Sequence, residues 1–361
     1  MKPLCMCLCS CLLAIAPVRA AAQDKVTNYE LRQAWASEPG DDAAFALEPR
    51  YFIPDELPGA NVDDTGAVYL CDKLSEALVK LGPGGHQVFA VGQVGEGPED
   101  HSGAGEPVMW GSGKVARADG STPPKVIVYS SGGEFLKSYN LDFDGQLVRL
   151  FWNGTQGLAA TFRNQFMPPD AFEFSTHLLQ FDGQGKVLQD IKMRSRRVVR
   201  AKSMPESAMW DVPRISVSED GFCFIQNDLY GNVIECLDRD LKPLWTITGP
   251  WQPSTRTPEE LAEVQAIGVT GLEYSAVNQT IRRMVARTGG EVWVQPWRPG
   301  VVDGVVEFAS FGRDGQALGT VRIAGLPKLS GEWILRGNKV LWITSDEVPT
   351  IIVYDLVAKS R

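Results

Sequence analysis

Histidine, positive charge and long apolar runs are all scarce in this chain. It has three histidines in 361 residues, and its formal net charge is −9. An acidic chain lacks the electrostatic attraction that holds proteins on nucleic acid or on anionic membranes, so we expect neither partner. Beyond the first 22 residues no apolar stretch reaches the roughly 20 residues of a transmembrane helix, and no transmembrane segment is expected.

The usual motifs of enzyme chemistry are missing as well. The sequence contains no Gly-x-Ser-x-Gly turn, no glycine-rich phosphate loop and no Cys-x-x-Cys pair. His86, His101 and His177 fall in a predicted turn, a glycine-rich loop and a strand start. A zinc or iron centre needs at least two converging histidines with acidic partners, and no spacing indicates this. The sequence therefore predicts no catalytic residue.

What the chain has instead is a repeated unit of short apolar strands separated by glycine or acidic turns. Four copies are recognisable, at Val126–Tyr139, His177–Asp190, Val233–Thr246 and Val306–Gly319. Strand-only repeats spaced by roughly 40–50 residues are typical of the blades of a β-propeller. The predicted fold class is therefore all-β, a six-bladed β-propeller.

Domain boundaries follow from this pattern. Residues 1–22 are predicted to be a signal peptide, 23–44 a loose N-terminal arm and 45–361 the propeller. A strand near Ala46–Ile53 is expected to join the last blade and close the ring. Closure is expected because an open blade leaves a row of unpaired backbone groups at its edge.

One helical insertion interrupts the repeats. Thr257 is a predicted N-cap, Pro258 occupies the first turn and Glu260 completes a capping box. We expect the helix to end at Gly268. The insertion explains the long interval between the fourth and fifth predicted blades.

Two short motifs connect the chain to a known family. Residues Gly92–Glu99 read Gly-Gln-Val-Gly-Glu-Gly-Pro-Glu, and residues Arg256–Glu260 read Arg-Thr-Pro-Glu-Glu. They resemble a glycine-rich signature and the start of a late helical insertion in bacterial six-bladed propellers related to NHL-repeat proteins. The resemblance spans about residues 45–361, and it departs at Glu99-Asp100, where the family has Gly-Glu-Phe. The resemblance implies a six-bladed propeller of the NHL or TolB type that is exported, and it implies no activity.

The N-terminus has the layout of an export signal. Lys2 precedes an apolar segment, Leu4–Val18, and the small residues Ala20–Ala22 follow it. The predicted location is therefore periplasmic or extracellular. Lipidation of Cys9 or Cys11 is an alternative, but the apolar core continues past Cys11, which disfavours a cut there.

One basic cluster, Lys192–Lys202, stands out in the acidic chain. We interpret it as a solvated loop, because runs of charge usually mark exposed faces. A docking patch for an acidic partner is the alternative.

An oxygen-ligand metal site is a further candidate. Asn140, Asp142 and Asp144, followed by Gly145, match the first half of a calcium-binding loop. The twelfth position of such a loop is Phe151 rather than a glutamate. A polar turn between blades is the favoured interpretation, and bound calcium is the alternative.

Arginines and a tryptophan lie near the starts of the predicted inner strands. These are Arg149, Arg214, Arg282 and Trp333. A channel mouth lined by arginine and aromatic side chains suits a carboxylate, phosphate or sugar ligand. Local ion pairs and packing between blades are the competing interpretation.

Two of the three cysteines beyond the signal peptide lie on neighbouring predicted strands. Cys223 and Cys236 flank a turn at 228–231 and are candidates for a disulfide in an oxidising compartment. Two buried thiols are the alternative, since cross-strand geometry often does not suit a disulfide.

The predicted function is an exported propeller that binds a ligand or a protein partner at one face of its channel, without identified catalysis. The first alternative is a metal-dependent propeller hydrolase or lyase resembling the lactonases. A second alternative is a structural protein that presents its surface. No cofactor is predicted apart from the calcium alternative.

The export signal gives a direct expectation. Cleavage after the small-x-small sequence Val18-Arg19-Ala20, or after the next alanines, places the mature N-terminus between Ala21 and Asp24. N-terminal sequencing of secreted protein measures this. A chain that begins at a lipid-modified Cys11 would contradict it.

Overall fold

The computed structural model describes most of the chain in separate ranges. These ranges are residues 18–19, 25–37, 59–72, 75–102, 105–119, 123–167, 171–199, 204–205, 213–266, 272–273, 275–298, 301–327, 331–344 and 349–359. Nearly all of the regular structure is β-strand. In these ranges no helix is long and apolar enough to span a bilayer.

The strands form four-stranded antiparallel units in chain order. The two N-terminal strands are β1 (Val18–Arg19) and β2 (Val26–Ala36). The first sheet contains β3 (Ala60–Val62), β4 (Val68–Cys71), β5 (Leu78–Leu81) and β6 (Gln87–Val91). The second contains β7 (Pro107–Met109), β8 (Lys114–Asp119), β9 (Lys125–Ser130) and β10 (Phe135–Asn140).

The third and fourth sheets follow the same plan. The third contains β11 (Gln146–Trp152), β12 (Gly157–Met167), β13 (Ala171–Phe181) and β14 (Val187–Val199). After β15 (Met204–Pro205), the fourth contains β16 (Arg214–Val217), β17 (Cys223–Gln226), β18 (Val233–Leu237) and β19 (Pro243–Thr248). The short strand β1 pairs in parallel with β19 at the edge of the fourth sheet.

The remaining strands form one nine-stranded sheet. Helix α1 (Pro258–Ala266) and β20 (Leu272–Glu273), which pairs with β15, precede it. Its first part contains β21 (Ile281–Ala286), β22 (Val292–Pro296), β23 (Val301–Val302), β24 (Val305–Phe311) and β25 (Ala317–Ala324). Its second part contains β26 (Gly331–Arg336), β27 (Lys339–Thr344) and β28 (Ile351–Ala358). Strand β2 lies between the two parts and pairs with β25 and β28.

The repeat seen in the sequence is also a repeat of local geometry. In the third and fourth sheets the turn between the two outer strands is held by an aspartate, because Asp182 and Asp238 each accept two backbone N–H bonds. The ladder shifts register just before this turn, at Gln180/Phe181 and at Cys236/Leu237. Aspartate favours such turns because its side chain replaces a backbone acceptor.

The apolar core is divided into clusters that neighbouring sheets share. Leu150 of the third sheet, for example, packs in one cluster with Val126 of the second. A further cluster contains Val62 of the first sheet together with Leu341 and Val353 of the last. The sheets therefore form a closed series in which the last packs on the first, as in a propeller.

Strand β2 supplies the closure, and this corrects one sequence prediction. Residues 23–44 were expected to be a loose arm, yet Val26–Ala36 is the outer strand beside β28. The strand expected at Ala46–Ile53 lies outside the described residues. Apolar and polar residues alternate only weakly in Val26–Ala36, so the sequence pattern did not reveal this strand.

The basic cluster is also placed differently from its prediction. Strand β14 continues to Val199, so residues 192–199 are strand rather than loop. Lys192 pairs with Glu173 at 2.6 Å, and Ser195 donates to the same carboxylate. Glu173 on β13 thus binds two side chains of a segment that the sequence predicted to be a solvated loop.

The capping box of the insertion is present. The backbone N–H of Thr257 donates to Glu260 Oε2 at 2.8 Å, and the backbone N–H of Glu260 donates to Thr257 Oγ1 at 3.2 Å. Burial tends to raise the pKa of Glu260, but the Thr257 N–H, Asn278 and Arg298 outweigh it and lower that pKa. The Arg-Thr-Pro-Glu-Glu motif therefore has a structural role in anchoring the helix start.

The predicted disulfide between Cys223 and Cys236 is wrong for this register. Cys223 lies opposite Leu237, and Cys236 lies opposite Phe224. Neighbouring positions on a strand point to opposite faces, so the two thiols enter different core clusters. Both are buried and free.

Substitution of Trp35 tests whether β2 closes the ring of sheets. Its ring is buried between the first and last sheets, and its Nε1 donates to the Gly66 carbonyl at 2.9 Å. Trp35→Ala should lower the free energy of unfolding by about 3–5 kcal/mol, the usual cost of removing a buried aromatic ring. Gln33→Ala, on an exposed residue of the same strand, should change it by less than about 0.5 kcal/mol. Denaturant unfolding measures both, and equal effects would contradict closure by Trp35.

The thiols give a second expectation. Burial raises the pKa of Cys236 to about 12 and raises the pKa of Cys223 as well. Since the thiolate is the form that reacts, iodoacetamide at pH 8 should modify neither in the native protein and both after unfolding. Mass spectrometry without reductant should show Cys223 and Cys236 both as free thiols, and a peptide pair linked through them would overturn the register.

Candidate functional site

A cavity of about 500 Å³ lies where the first strands of all the sheets meet. Its walls come from the first and second sheets, the third and fourth sheets, and both parts of the nine-stranded sheet. The lining residues include Asn61, Met109, Phe151, Ser216, Met284 and Trp333. The first strand of each unit lies at one edge of its strand order, so these edges converge on a common channel.

Arg149, Arg214 and Arg283 are three of the five arginines that line the described part of this channel. Arg149 on β11 lies 3.5 Å from Glu106, measured from Nε to Oε2. Arg283 on β21 lies 3.6 Å from Glu332 and stacks over the Trp333 ring, with Cζ at 4.2 Å from the ring centroid. Arginine suits such a wall because its planar guanidinium group stacks on aromatic rings and can also donate two parallel hydrogen bonds to an anion.

Arg214, the third arginine, is more deeply placed than a rim charge. It is 7% exposed and donates to the Arg282 carbonyl and, at 2.8 Å, to Gln279 Oε1. These bonds tie β16 to β21 across two sheets. The residue therefore combines a place in the channel wall with a structural role, and its removal would leave buried acceptors without a donor.

Arg282 lies outside the channel lining, in contrast to the prediction. Its guanidinium lies over the Trp297 ring, with Cζ at 5.7 Å from the centroid. The next residue, Arg283, enters the channel instead. The alternation of side chains along β21 accounts for the difference, and the Arg-Arg pair in the sequence was the signal that one of the two would face inward.

Trp333 lies where it was predicted, among the lining residues, but it is nearly fully buried. Its ring packs on Phe308 as well as under Arg283. The ring therefore fixes the orientation of Arg283 more than it offers a stacking face of its own.

An ion pair crosses the other end of the channel. Arg336, at the end of β26, lies 3.4 Å from Glu219 in the turn after β16. Burial lowers the pKa of Arg336, while Glu219 and Asp64 act to raise it. Nearby, Arg287 donates to the Gly337 carbonyl and to Asn338 Oδ1. These contacts engage Arg287 and Arg336 with groups of the protein itself.

The predicted metal ligands lie elsewhere. Asn140, Asp142 and Asp144 are exposed and border a surface groove between the second and third sheets. The backbone carbonyl of Asp144 accepts a bond from Arg163 Nε at 2.7 Å. Over the described ranges, no three His, Cys, Asp or Glu side chains are grouped so as to hold a metal ion. Calcium binding here stays a prediction.

The glycine-rich segment Gly92–Glu99 forms a compact loop anchored on the second sheet. Lys125 Nζ donates to the carbonyls of Gly97 and Asp100, and the Tyr129 hydroxyl donates to that of Glu99. The buried pair His101 and Arg117 lies beneath it at 3.1 Å. Burial raises the pKa of Tyr129 to about 12, so its hydroxyl keeps its proton. The loop therefore has an evident structural role at Glu99-Asp100, where the sequence departs from the family it resembles.

Several solved structures resemble the chain at low sequence identity. No protein-family model matches the chain, and no curated protein matches it. A Bacteroides fragilis protein named for export is 10% identical, with a TM-score of 0.47 over 93% of this chain and 100% of that chain. Virginiamycin B lyase from Staphylococcus aureus is 12% identical, with a TM-score of 0.41 over 86% of this chain and 97% of that chain.

BamB from Moraxella catarrhalis is 11% identical, with a TM-score of 0.33 over 82% of each chain. At such low identities and TM-scores, these likenesses carry no argument about activity. The fold is established by the order of strands and by the core clusters that consecutive sheets share. The chain is accordingly an all-β protein of propeller-like architecture.

Proposed function

We propose that this protein is an exported six-bladed propeller that binds a small anionic ligand, or an acidic group of a partner, in its central channel. The single observation that supports the proposal is the convergence of Arg149, Arg214 and Arg283 on one cavity. Six four-stranded units with a closed series of cores support the blade count. The predicted signal peptide supports export.

The charge of the cavity wall contrasts with that of the chain. The lining contains Arg149, Arg214, Arg283, Arg287, Arg336 and Lys339 against Asp64, Glu106 and Glu219. The whole chain has a net charge of −9. A local positive excess inside an acidic protein attracts small anions, and the low-dielectric wall strengthens this attraction.

The size and geometry of the cavity suit a small molecule. Its volume of about 500 Å³ lies within the range of small-ligand sites. The Arg149–Glu106 and Arg283–Glu332 separations, 3.5 and 3.6 Å, are longer than a close charge-assisted hydrogen bond. A ligand carboxylate or phosphate would compete with these glutamates for the same guanidinium groups.

Binding is favoured over the metal-dependent hydrolase alternative by the chemistry of the wall. The acidic side chains that line the cavity include Glu106 and Glu219, which already pair with arginines. The described lining contains no histidine or cysteine that could serve as base or nucleophile. We therefore assign the channel a recognition role.

Neighbouring arginines provide a matched test. Arg283→Gln removes a channel cation, and its partner Glu332 remains hydrated because that side chain is 44% exposed. Arg282→Gln makes the same change one residue away, outside the lining. Calorimetry with inorganic phosphate and with benzoate should show at least about tenfold weaker binding for Arg283→Gln, in line with about 1.5–3 kcal/mol for a charged hydrogen bond.

Arg282→Gln should stay within about twofold of the unchanged protein, since it removes no channel contact. Equal losses in the two variants would show that the effect is one of net charge and not of the site. Failure of both anions to bind, or chelator-sensitive hydrolysis of a lactone, would defeat the proposal and favour the enzyme alternative.

A further inference from the structure

A Ser–His–Asp hydrogen-bond chain lies on the third sheet, away from the channel cavity. Ser175 Oγ is 3.0 Å from His177 Nε2, and His177 Nδ1 is 2.7 Å from Asp190 Oδ1. Ser175 and His177 are 5% and 6% exposed, while the Asp190 side chain is 42% exposed. These are the distances and the order of contacts of a nucleophile, a base and an orienting carboxylate.

Strand geometry brings the three side chains together. Ser175 and His177 are two apart on β13 and therefore point to the same face. Asp190 lies on β14 opposite Leu179, one step along the same face from His177. A register shift at Thr176/His177 locally bends the ladder at this point.

The hydrogen bonds fix the position of the imidazole proton. A carboxylate only accepts, so the Nδ1 that faces Asp190 carries the proton. Nε2 is then left as an acceptor, and the Ser175 hydroxyl donates to it. In this arrangement His177 is ready to take the proton of Ser175, as general-base catalysis requires.

A groove of about 780 Å³ lies beside the Ser–His–Asp hydrogen bonds, between the second and third sheets. Asp190, Phe143 and Arg163 line it. The Phe143 ring lies 5.3 Å from the His177 ring and covers it. Ser175 and His177 are buried behind this lining, so a small substrate in the groove would reach Ser175 only when the Phe143 ring moves aside.

Arg163 supplies a positive charge on the same face. It lies directly opposite Ser175 in the ladder between β12 and β13. Its Nε donates to the Asp144 carbonyl, and its guanidinium stacks on Phe143 at 4.8 Å. Its terminal nitrogens make no other bond within the described ranges, so they can donate to an oxyanion that forms on a substrate bound at Ser175.

We propose that Ser175 is a nucleophile for acyl transfer from small carboxylic esters, with His177 as general base, Asp190 as its positioning residue and Arg163 as the oxyanion donor. The proposal goes beyond the anion-binding function and concerns a separate place on the molecule. Each can fail without the other.

The chemistry balances without a cofactor. The Ser175 oxygen attacks the ester carbonyl carbon while its proton passes to His177 Nε2, and a carbon–oxygen bond forms. The bond to the leaving alkoxide then breaks, and the alkoxide takes the proton from His177. Water hydrolyses the resulting acyl-serine by the same two proton transfers, which releases the acid and restores Ser175.

The test is covalent labelling of the full chain with a small serine-directed sulfonyl fluoride, read by peptide mass spectrometry. We expect an adduct on Ser175 that is absent from Ser175→Ala. His177→Gln should slow labelling at least about a hundredfold, because the base is lost. Ser195→Ala is the matched control, since Ser195 lies directly opposite Ser175 on β14 and bonds Glu173 instead.

Phe143→Ala addresses access to the buried serine. Removing the ring that covers His177 should speed labelling of Ser175. Melting temperatures of all variants show whether a loss of labelling follows from unfolding. The proposal would be overturned if labelling failed in both the unchanged protein and a folded Phe143→Ala variant, or if it persisted in a folded His177→Gln variant. The Ser–His–Asp hydrogen bonds would then have only a structural role.

Discussion

The pairing of β2 with both parts of the nine-stranded sheet is the constraint on which the rest of the structure depends. Residues Val26–Glu30 pair in parallel with β25, and Tyr29–Ala36 pair antiparallel with β28. Trp35 then reaches the first sheet, and the Ser37 backbone N–H bonds Ile351 at 2.8 Å. An N-terminal strand thus holds the C-terminal sheet, so the two ends of the chain close the ring together. Without it, β28 would present an open edge.

Closure also determines what the channel can do. Each first strand contributes only a few side chains to the cavity, so a site there exists only when all the sheets are held at fixed positions. Arg149 and Arg283 come from different sheets, and the chain of contacts from Arg214 to Gln279 links the fourth sheet to the next. The proposed anion site is therefore a property of the ring and not of any single repeat.

The proposed nucleophile depends on strand pairing within one sheet rather than on closure of the ring. Ser175, His177 and Asp190 belong to one hairpin, β13 and β14, and need its register, Arg163 on the adjacent β12 and the cover provided by Phe143. Two independent sites on one propeller are physically reasonable, since the channel is built from the inner edges of the sheets and the groove from the space between two of them. Their separation means that the two activities need not be coupled.

The sequence by itself determined the strand repeats, the acidic turns and the capping box at Thr257 and Glu260, because these depend on residues close together in the chain. Tertiary structure decided which strand closes the ring, since pairing over more than 300 residues leaves no local pattern. It also decided which of Arg282 and Arg283 faces the channel and that Cys223 and Cys236 face apart. In a strand, a shift of one residue reverses the face of every side chain, and only the observed register settles that shift.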